Sequence, residues 1–364
     1  MSSQTPSPSA DRSQGGHLAR RVLVVLCLVL AALVSVWVGV AVRPPAPLGE
    51  GSRTVEIPST LGLLGIARHL AGEGVIRSQA VFVGLTVLRG TARSLKAGEY
   101  EIPQGASLLT VLQLLESGRV KPRLLVLPEG FTIRDLARQI EAEGLAPAAE
   151  VVRRAASPRL VWSLGIDADS LEGYLFPDTY QVTKSTRVEE ILSRMVQRFQ
   201  DKVATADVVA RARQRGMTLH QLVTLASIVE RETAAPAERP LIARVFLNRL
   251  QRDMPLQADP TVSYALAKEG RPPTRDDLQV DHPFNTYKNR GLPPGPIGSP
   301  GRAAIEAVLD PADVPYLYFV AIDDRTHHFS TTLEEHNQAV VRYRQYRARV
   351  RAGARLAPVD DPML

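Results

Sequence analysis

Cysteine is almost missing from this chain: among 364 residues, Cys27 is the only one. That excludes a disulfide framework and any zinc site built on thiolates. Lysine is nearly as scarce, confined to positions 96, 121, 184, 202, 268 and 288, so arginine carries the net charge of +6. No compact basic stripe with interleaved aromatic residues accompanies that excess. It reads as the codon bias of a GC-rich genome, and nucleic acid is not expected as a partner. The seven histidines show no metal-ligand spacing. Bulk disorder is excluded as well, because 45% of the residues are hydrophobic and 23% charged. The length allows more than one core.

What the chain does have begins with an uncharged apolar run from Val22 to Val42. As a helix rising about 1.5 Å per residue, it spans roughly the thickness of a bilayer's hydrocarbon core. Arg12, Arg20 and Arg21 precede it; Arg43 and a proline-rich segment (Pro44, Pro45, Pro47) follow. The positive-inside rule puts the N-terminus in the cytoplasm and everything after Arg43 outside. A cleaved signal peptide has a shorter apolar region, about 7–15 residues, with a small-residue cleavage site such as Ala31-Ala32 or Ala41 offers. The length favours a retained anchor at the plasma (inner) membrane.

A repeating pattern follows the linker. Val55-Glu56-Ile57-Pro58 precedes Ile66 to Leu70 and Glu73-Gly74; Val126-Leu127-Pro128 precedes Leu136 to Ile140 and Glu143-Gly144. Tyr100-Glu101-Ile102-Pro103, then Leu108 to Leu115 and Gly118, forms a partial third copy. Each reads as a short strand, a proline turn and an amphipathic helix ended by glycine, with Ser107 and Thr132 as N-caps. The expected fold class is α+β, in six parts: a disordered cytoplasmic tail (1–21), a transmembrane helix (22–42), a linker (43–53), a small α+β subdomain (54–122), a larger, mostly helical α+β domain (123–350) and a C-terminal tail (351–364). Val340 to Arg355 reads as a basic, solvated helix carrying Tyr343 and Tyr346, and His327-His328 as part of a strand.

The segment Met217 to Thr233 contains an acidic residue where an aliphatic one is expected. At 100° per residue, Leu219, Val223, Ala226 and Glu230 fall within roughly 60° of one another. Glu230 thus lies on the apolar stripe, while Glu232 projects to the opposite, solvated side. A buried carboxylate is costly when ionised, so its pKa rises, as a general acid near neutral pH requires. A buried ion pair with Arg231, Arg244 or Arg249 fits the same spacing, and spacing alone leaves both readings open.

Three further stretches lack periodicity or carry isolated polar groups. Leu171 to Tyr180 contains Glu172 and Asp178, candidates for a second carboxylate or for arginine partners. Asp259-Pro260 reads as the N-cap and first position of a helix over Val262 to Lys268, with Leu256 and Gln257 ahead of it able to line a cleft. Pro283 to Tyr287 and Gly291 to Ile297 form a rigid irregular loop whose Asn, Thr and Tyr suit a hydroxyl-rich ligand.

Together LEGYLFPDTY (171–180), ASIVERET (226–233), LQADPTVSY (256–264), FNTY (284–287) and GLPPGPI (291–297) resemble the endolytic murein transglycosylase family, once labelled aminodeoxychorismate-lyase-like. The resemblance runs from the anchor to about residue 350. It departs from the family at His282, where Ser is frequent, and at Phe284, where Tyr is common. It implies a membrane-anchored enzyme that cleaves the MurNAc–GlcNAc β-1,4 bond inside nascent peptidoglycan strands, leaves 1,6-anhydro-MurNAc ends and limits strand length. It also implies a LysM-like subdomain over 54–122 and a catalytic role for Glu230. The reaction suits one carboxylate, because the C6 hydroxyl of the sugar replaces an activated water. Gln257, Asn285, Thr286, Tyr287, Tyr264 and Glu172 are the expected substrate contacts. No metal or organic cofactor is needed, and cell-wall synthases such as penicillin-binding proteins are the partners the resemblance suggests. The pyridoxal-phosphate chemistry of the old label requires a Schiff-base lysine and a phosphate cradle. Lys268 and Lys288, the lysines of the motif-rich half, have no glycine-rich loop beside them. The alternative is a non-catalytic, membrane-anchored peptidoglycan-binding scaffold in which Glu230 is a structural ion-pair member.

Overall fold

A computed structural model describes residues 13–45, 51–58, 60–268, 271–323 and 326–351. The chain divides into two compact units: residues up to Arg123 together with Thr183–Ser185, and Leu124–Val182 with the residues from Thr186 onward. The mixed helix-and-strand content agrees with the expected α+β class.

The first unit opens with α1 (Ser13–Val42), whose stretch Arg20–Val42 is long and apolar enough to cross a membrane, a property that signal sequences share. The helix begins nine residues ahead of the apolar run, so Ser13 to Arg21, expected as disordered tail, are helical. Residues 1–12, the rest of that tail, lie outside the described residues. There follow β1 (Ser52–Ile57), α2 (Leu63–Gly72), α3 (Gln79–Leu88), β2 (Gly98–Pro103) and α4 (Leu108–Ser117). β1 and β2 pair antiparallel with Val55 opposite Tyr100. Alternation turns Val55, Ile57, Tyr100 and Ile102 inward, where they meet Leu70, Phe82, Val111 and Leu112. Ser107 caps α4 by accepting from Thr110 N, and Gly118 ends it in the left-handed conformation. Two copies of the repeat thus pair strand to strand. The repeat pattern omits α3 because its β-branched and aromatic residues have no helical period; only Val81, Phe82 and Thr86 of it are buried.

The second unit comprises β3 (Arg123–Val126, from its second residue on), α5 (Ile133–Ala142), α6 (Ala148–Ala155), α7 (Pro158–Ser163), β4 (Thr179–Val182), α8 (Val188–Lys202), α9 (Ala206–Gln214) and α10 (Leu219–Glu232). It continues through α11 (Arg239–Gln251), α12 (Asp259–Ala265), α13 (Arg302–Leu309), β5 (Tyr318–Ala321), β6 (His327–Ser330) and α14 (Leu333–Arg351). β3 pairs with β4, and β5 with β6, antiparallel with Tyr318 opposite Ser330. Thr132 caps α5 in a reciprocal box with Asp135. α14 starts ahead of the basic segment and is exposed along most of its length; the segment's end beyond Arg351 lies outside the described residues.

At the centre lies α10, packed by α9, α11, α12 and α13. Leu222 to Glu230 are all buried, so α10 has no solvent face over those turns, unlike the amphipathic helix expected from projection. Burial of Leu222, Val223, Leu225, Ile228 and Val229 contributes about 1.5–3 kcal/mol each.

The segment before β4 needs glycine at 173. Its φ is +84°, and a Cβ there would lie 2.4 Å from Pro296 Cβ. Gly173→Ala is therefore expected to destabilise the protein by about 2–5 kcal/mol, combining left-handed strain with overpacking. Gly165→Ala, at φ +70° but with nearly open space, should cost only about 1–2 kcal/mol. Equal losses in urea unfolding would refute the packing argument.

Candidate active site

The register of α10 is fixed at its start by Thr218, whose side chain accepts from Gln221 N while Gln221 Oε1 accepts from Thr218 N. Twelve residues on, Glu230 lies in the last turn, near the negative end of the helix dipole, which disfavours an ionised carboxylate. Its side chain is only 4% exposed. Glu230 Oε2 accepts from Gly301 N at 2.9 Å, and Oε1 from Arg239 Nη2 at 2.7 Å. Burial raises its pKa above the ordinary carboxylate value; the Gly301 N–H and the Arg239 guanidinium oppose that rise, and the nearby Glu129 charge adds to it.

Arg239 is placed by the turn between α10 and α11. Thr233 Oγ1 accepts from Ala235 N and donates to Glu238 Oε2, while Glu238 Oε1 accepts from His327 N and Oε2 lies 2.7 Å from His327 Nδ1. Arg239 then opens α11, and its Nη2 also lies 3.3 Å from Glu129 Oε2. The partners expected for Glu230 are engaged elsewhere: Arg231 with Ile297 O, Arg244 with Ala312 O and Arg249 with Leu317 O. Neither Arg239 nor Glu129 carried a periodicity signal, which is why the sequence did not single them out.

Two loops close over the carboxylate. Gly130 N donates to Ser299 O and Ser299 N to Phe131 O, both at 2.7 Å. A Cβ on Gly298 would lie 2.7 Å from Gly130 O, and one on Gly301 would lie 1.7 Å from Glu129 Oε1. At 298, where the neighbour is backbone, only glycine permits this approach; at 301 a larger residue would displace the Glu129 side chain. The proline-rich loop docks on α10 through Ile297 N to Ser227 Oγ (3.0 Å) and through His220 Nε2 to Pro294 O (2.9 Å). Tyr174 Oη lies 2.7 Å from His220 Nδ1, so the motifs at 171–180, 226–233 and 291–297 do converge.

The remaining expected residues fall into two groups. Glu172 is buried, accepts from Ile133 N at 3.1 and 3.2 Å and from Tyr264 Oη at 3.2 Å, and is pushed up to about 7 by burial. Arg134 lies over the Tyr264 ring, 4.9 Å from its centroid. Asp178 pairs with Arg198 at 2.7 Å, away from this group. In the second group, Asn285 donates to Leu278 O and Val280 O and accepts from Tyr287 N; Thr286 Oγ1 accepts from Ala258 N and meets Thr261 Oγ1 at 2.9 Å. Each is 1% exposed. These two, expected as saccharide contacts, are buried, and their polar atoms bond neighbouring segments: Leu278 and Val280 for Asn285, Ala258 and Thr261 for Thr286. Gln257 is exposed, at φ +52°, with Oε1 3.3 Å from Arg249 Nη1. Tyr287 Oη donates to Asp259 Oδ1 at 2.5 Å.

Two corrections concern acids. Asp259 is the first residue of α12 and not its cap, which is Ala258. Glu232 is not a fully solvated surface group: it is only partly exposed, and desolvation with the Asp259 charge, opposed by Arg249, pushes it up to about 8. Among the described residues no three His, Cys, Asp or Glu groups converge as a metal site requires, and Lys268 pairs with Asp277 at 2.7 Å.

The raised Glu232 has a thermodynamic sign. The folded state holds this proton at pH values where the unfolded chain has released it, so stability falls as pH rises from about 4.5 toward 8. Glu232→Gln is expected to raise Tm relative to the parent at pH 8.5, with the advantage vanishing near pH 5. A Tm difference independent of pH would contradict the assignment.

The model of the YceG-like family matches residues 55–342. The chain is 34% identical over 316 residues to the endolytic murein transglycosylase of Bacillus subtilis (strain 168), covering 82% of this chain and 87% of that protein. It is 32% identical over 327 residues to the protein of the same name from Streptococcus pneumoniae serotype 2, covering 81% of this chain but 57% of that longer relative. A crystal structure of a YceG-like protein from Listeria monocytogenes is 34% identical, with a TM-score of 0.57, over 80% of this chain and 99% of that one. With the family's match extending over most of its length, this chain belongs to the YceG-like family.

Proposed function

We propose that the protein is an endolytic lytic transglycosylase that cleaves the MurNAc–GlcNAc β-1,4 bond within nascent peptidoglycan strands, with Glu230 as the catalytic acid and base. The observation that carries this reading is the buried carboxylate of Glu230, raised toward protonation in a family whose curated relatives bear the name endolytic murein transglycosylase.

Protonated Glu230 donates to the glycosidic oxygen, which leaves as the O4 hydroxyl of N-acetylglucosamine. As the bond from C1 of N-acetylmuramic acid breaks, the C6 hydroxyl of that sugar attacks C1, and the Glu230 carboxylate takes its proton. The 1,6-anhydro ring closes and Glu230 is protonated again. One carboxylate serves both steps, since no water is activated. Gln257 is proposed as a saccharide contact, supported by its exposed amide; Tyr287, Tyr264 and Glu172 are proposed as more distant supports of the cleft.

The helix Arg20–Val42 is proposed as a retained, single-pass anchor, with the arginines before it on the cytoplasmic side and residues 54–122 and 123–350 on the outer face. The order β1-α2-α3-β2, with its two strands antiparallel, supports a LysM-like character for 54–122. Cell-wall synthases, which work on the same polymer in the same plane, are the proposed partners.

Mass spectrometry of muropeptides after digestion of un-crosslinked glycan tests this reading. Anhydro-MurNAc ends are expected, and Glu230→Gln should lower turnover by at least about 10³-fold with the fold intact. Reducing ends would indicate hydrolysis. Full activity in Glu230→Gln would favour a scaffold.

A further inference from the structure

The proposed cycle makes Glu230 alternate between neutral and ionised forms, whereas its neighbour Arg239 remains a cation throughout. The guanidinium is 11% exposed, and its Nε is buried without a partner. Whenever Glu230 holds its proton, that buried charge loses its nearest counter-ion. One other carboxylate is within reach: Glu129 Oε2 lies 3.3 Å from the same Nη2 that contacts Glu230 at 2.7 Å.

Glu129 is not held there by charge alone. The 2.7 Å hydrogen bonds of Gly130 and Phe131 with Ser299 fix the backbone beside it. Its carboxylate occupies the space that a Cβ of Gly301 would fill, and the N–H of that same Gly301 donates to Glu230. Its side chain is 46% exposed. Arg239 Nη2 thus bridges the two carboxylates, and Gly301 donates to Glu230 and abuts Glu129, which makes a ring of contacts.

We propose that Glu129 is a positioning residue that compensates the Arg239 guanidinium while Glu230 is protonated. Arg239 can then orient Glu230 Oε1 without stripping it of its proton. The proposal rests on Glu230 being the acid. The other charged groups around Glu230 are engaged elsewhere. On α10, Arg231 is bound to Ile297 O and Glu232 faces Asp259 of α12 and Arg249 of α11. On α13, Glu306 pairs with Arg211 of α9, and Arg302 is exposed. The electrostatic sense of the ring agrees: Arg239 holds the Glu230 pKa down and Glu129 lifts it.

The test is the pH dependence of kcat for the full-length protein on un-crosslinked glycan strands, with anhydro ends as the readout. Activity falls on the alkaline side as the acid loses its proton. Glu129→Gln leaves Arg239 to act on Glu230 alone, so this limb is expected to move to lower pH by about one unit, roughly a tenfold loss on the falling limb. Arg239→Gln should move it the opposite way, and Glu129→Asp, which keeps the charge, should hold it near the parent value. A uniform loss at every pH in Glu129→Gln, or equal displacement by Gln and Asp, would overturn the proposal. If Glu129→Gln does not fold, the upward shift in Arg239→Gln with an unmoved Glu129→Asp supports it, and no shift in Arg239→Gln overturns it. Glu230→Gln separates the two readings: if it stays active, the acid assignment fails; if it is dead and the limb of Glu129→Gln is unmoved, only the role of Glu129 fails.

Discussion

A carboxylate kept from water at the negative end of its own helix is the constraint around which the larger unit is arranged. Glu230 cannot sit there without help. The help arrives from three directions in the chain: Arg239 at the start of α11, the amide of Gly301 ahead of α13, and the loop before α5 that carries Glu129. Each requires a local device: the Thr233–Glu238–His327 link for Arg239, the paired backbone of 130–131 and 298–299 for the loops, and glycine where two chains touch. An ion pair and a raised pKa, which spacing alone posed as alternatives for Glu230, occur at the same residue.

The buried acids of this unit differ in their partners. Glu172 receives a backbone N–H at the beginning of α5 and a tyrosine hydroxyl, so its burial is partly offset by hydrogen bonds to the ionised form. Glu232 receives the charge of Asp259 and the opposing charge of Arg249 from farther off. Glu238 is bound by His327 and Thr233. The same residue type thus serves as helix support, as a raised and partly exposed acid and as turn clamp, according to which groups the neighbouring elements present.

Much of this was legible in the sequence where a local rule governs. The caps at Ser107 and Thr132 and the strand at His327-His328 follow from short-range chemistry. The inward placement of Glu230 followed from helical projection; the partial burial of Glu232 did not, because the Asp259 and Arg249 charges that act on it come from other helices. The backbone bonds of Asn285 and Thr286 were not legible for a related reason: a polar side chain in an irregular stretch can satisfy nearby backbone as readily as a ligand. Arg239 and Glu129 were invisible because their importance comes from residues distant in the chain.

The glycines at 298 and 301 couple two stretches of chain some 170 positions apart. A hybrid gene that takes 128–131 from one homologue and 298–301 from another would join surfaces shaped for different neighbours. The two segments must therefore change together in any hybrid that keeps these loops in contact.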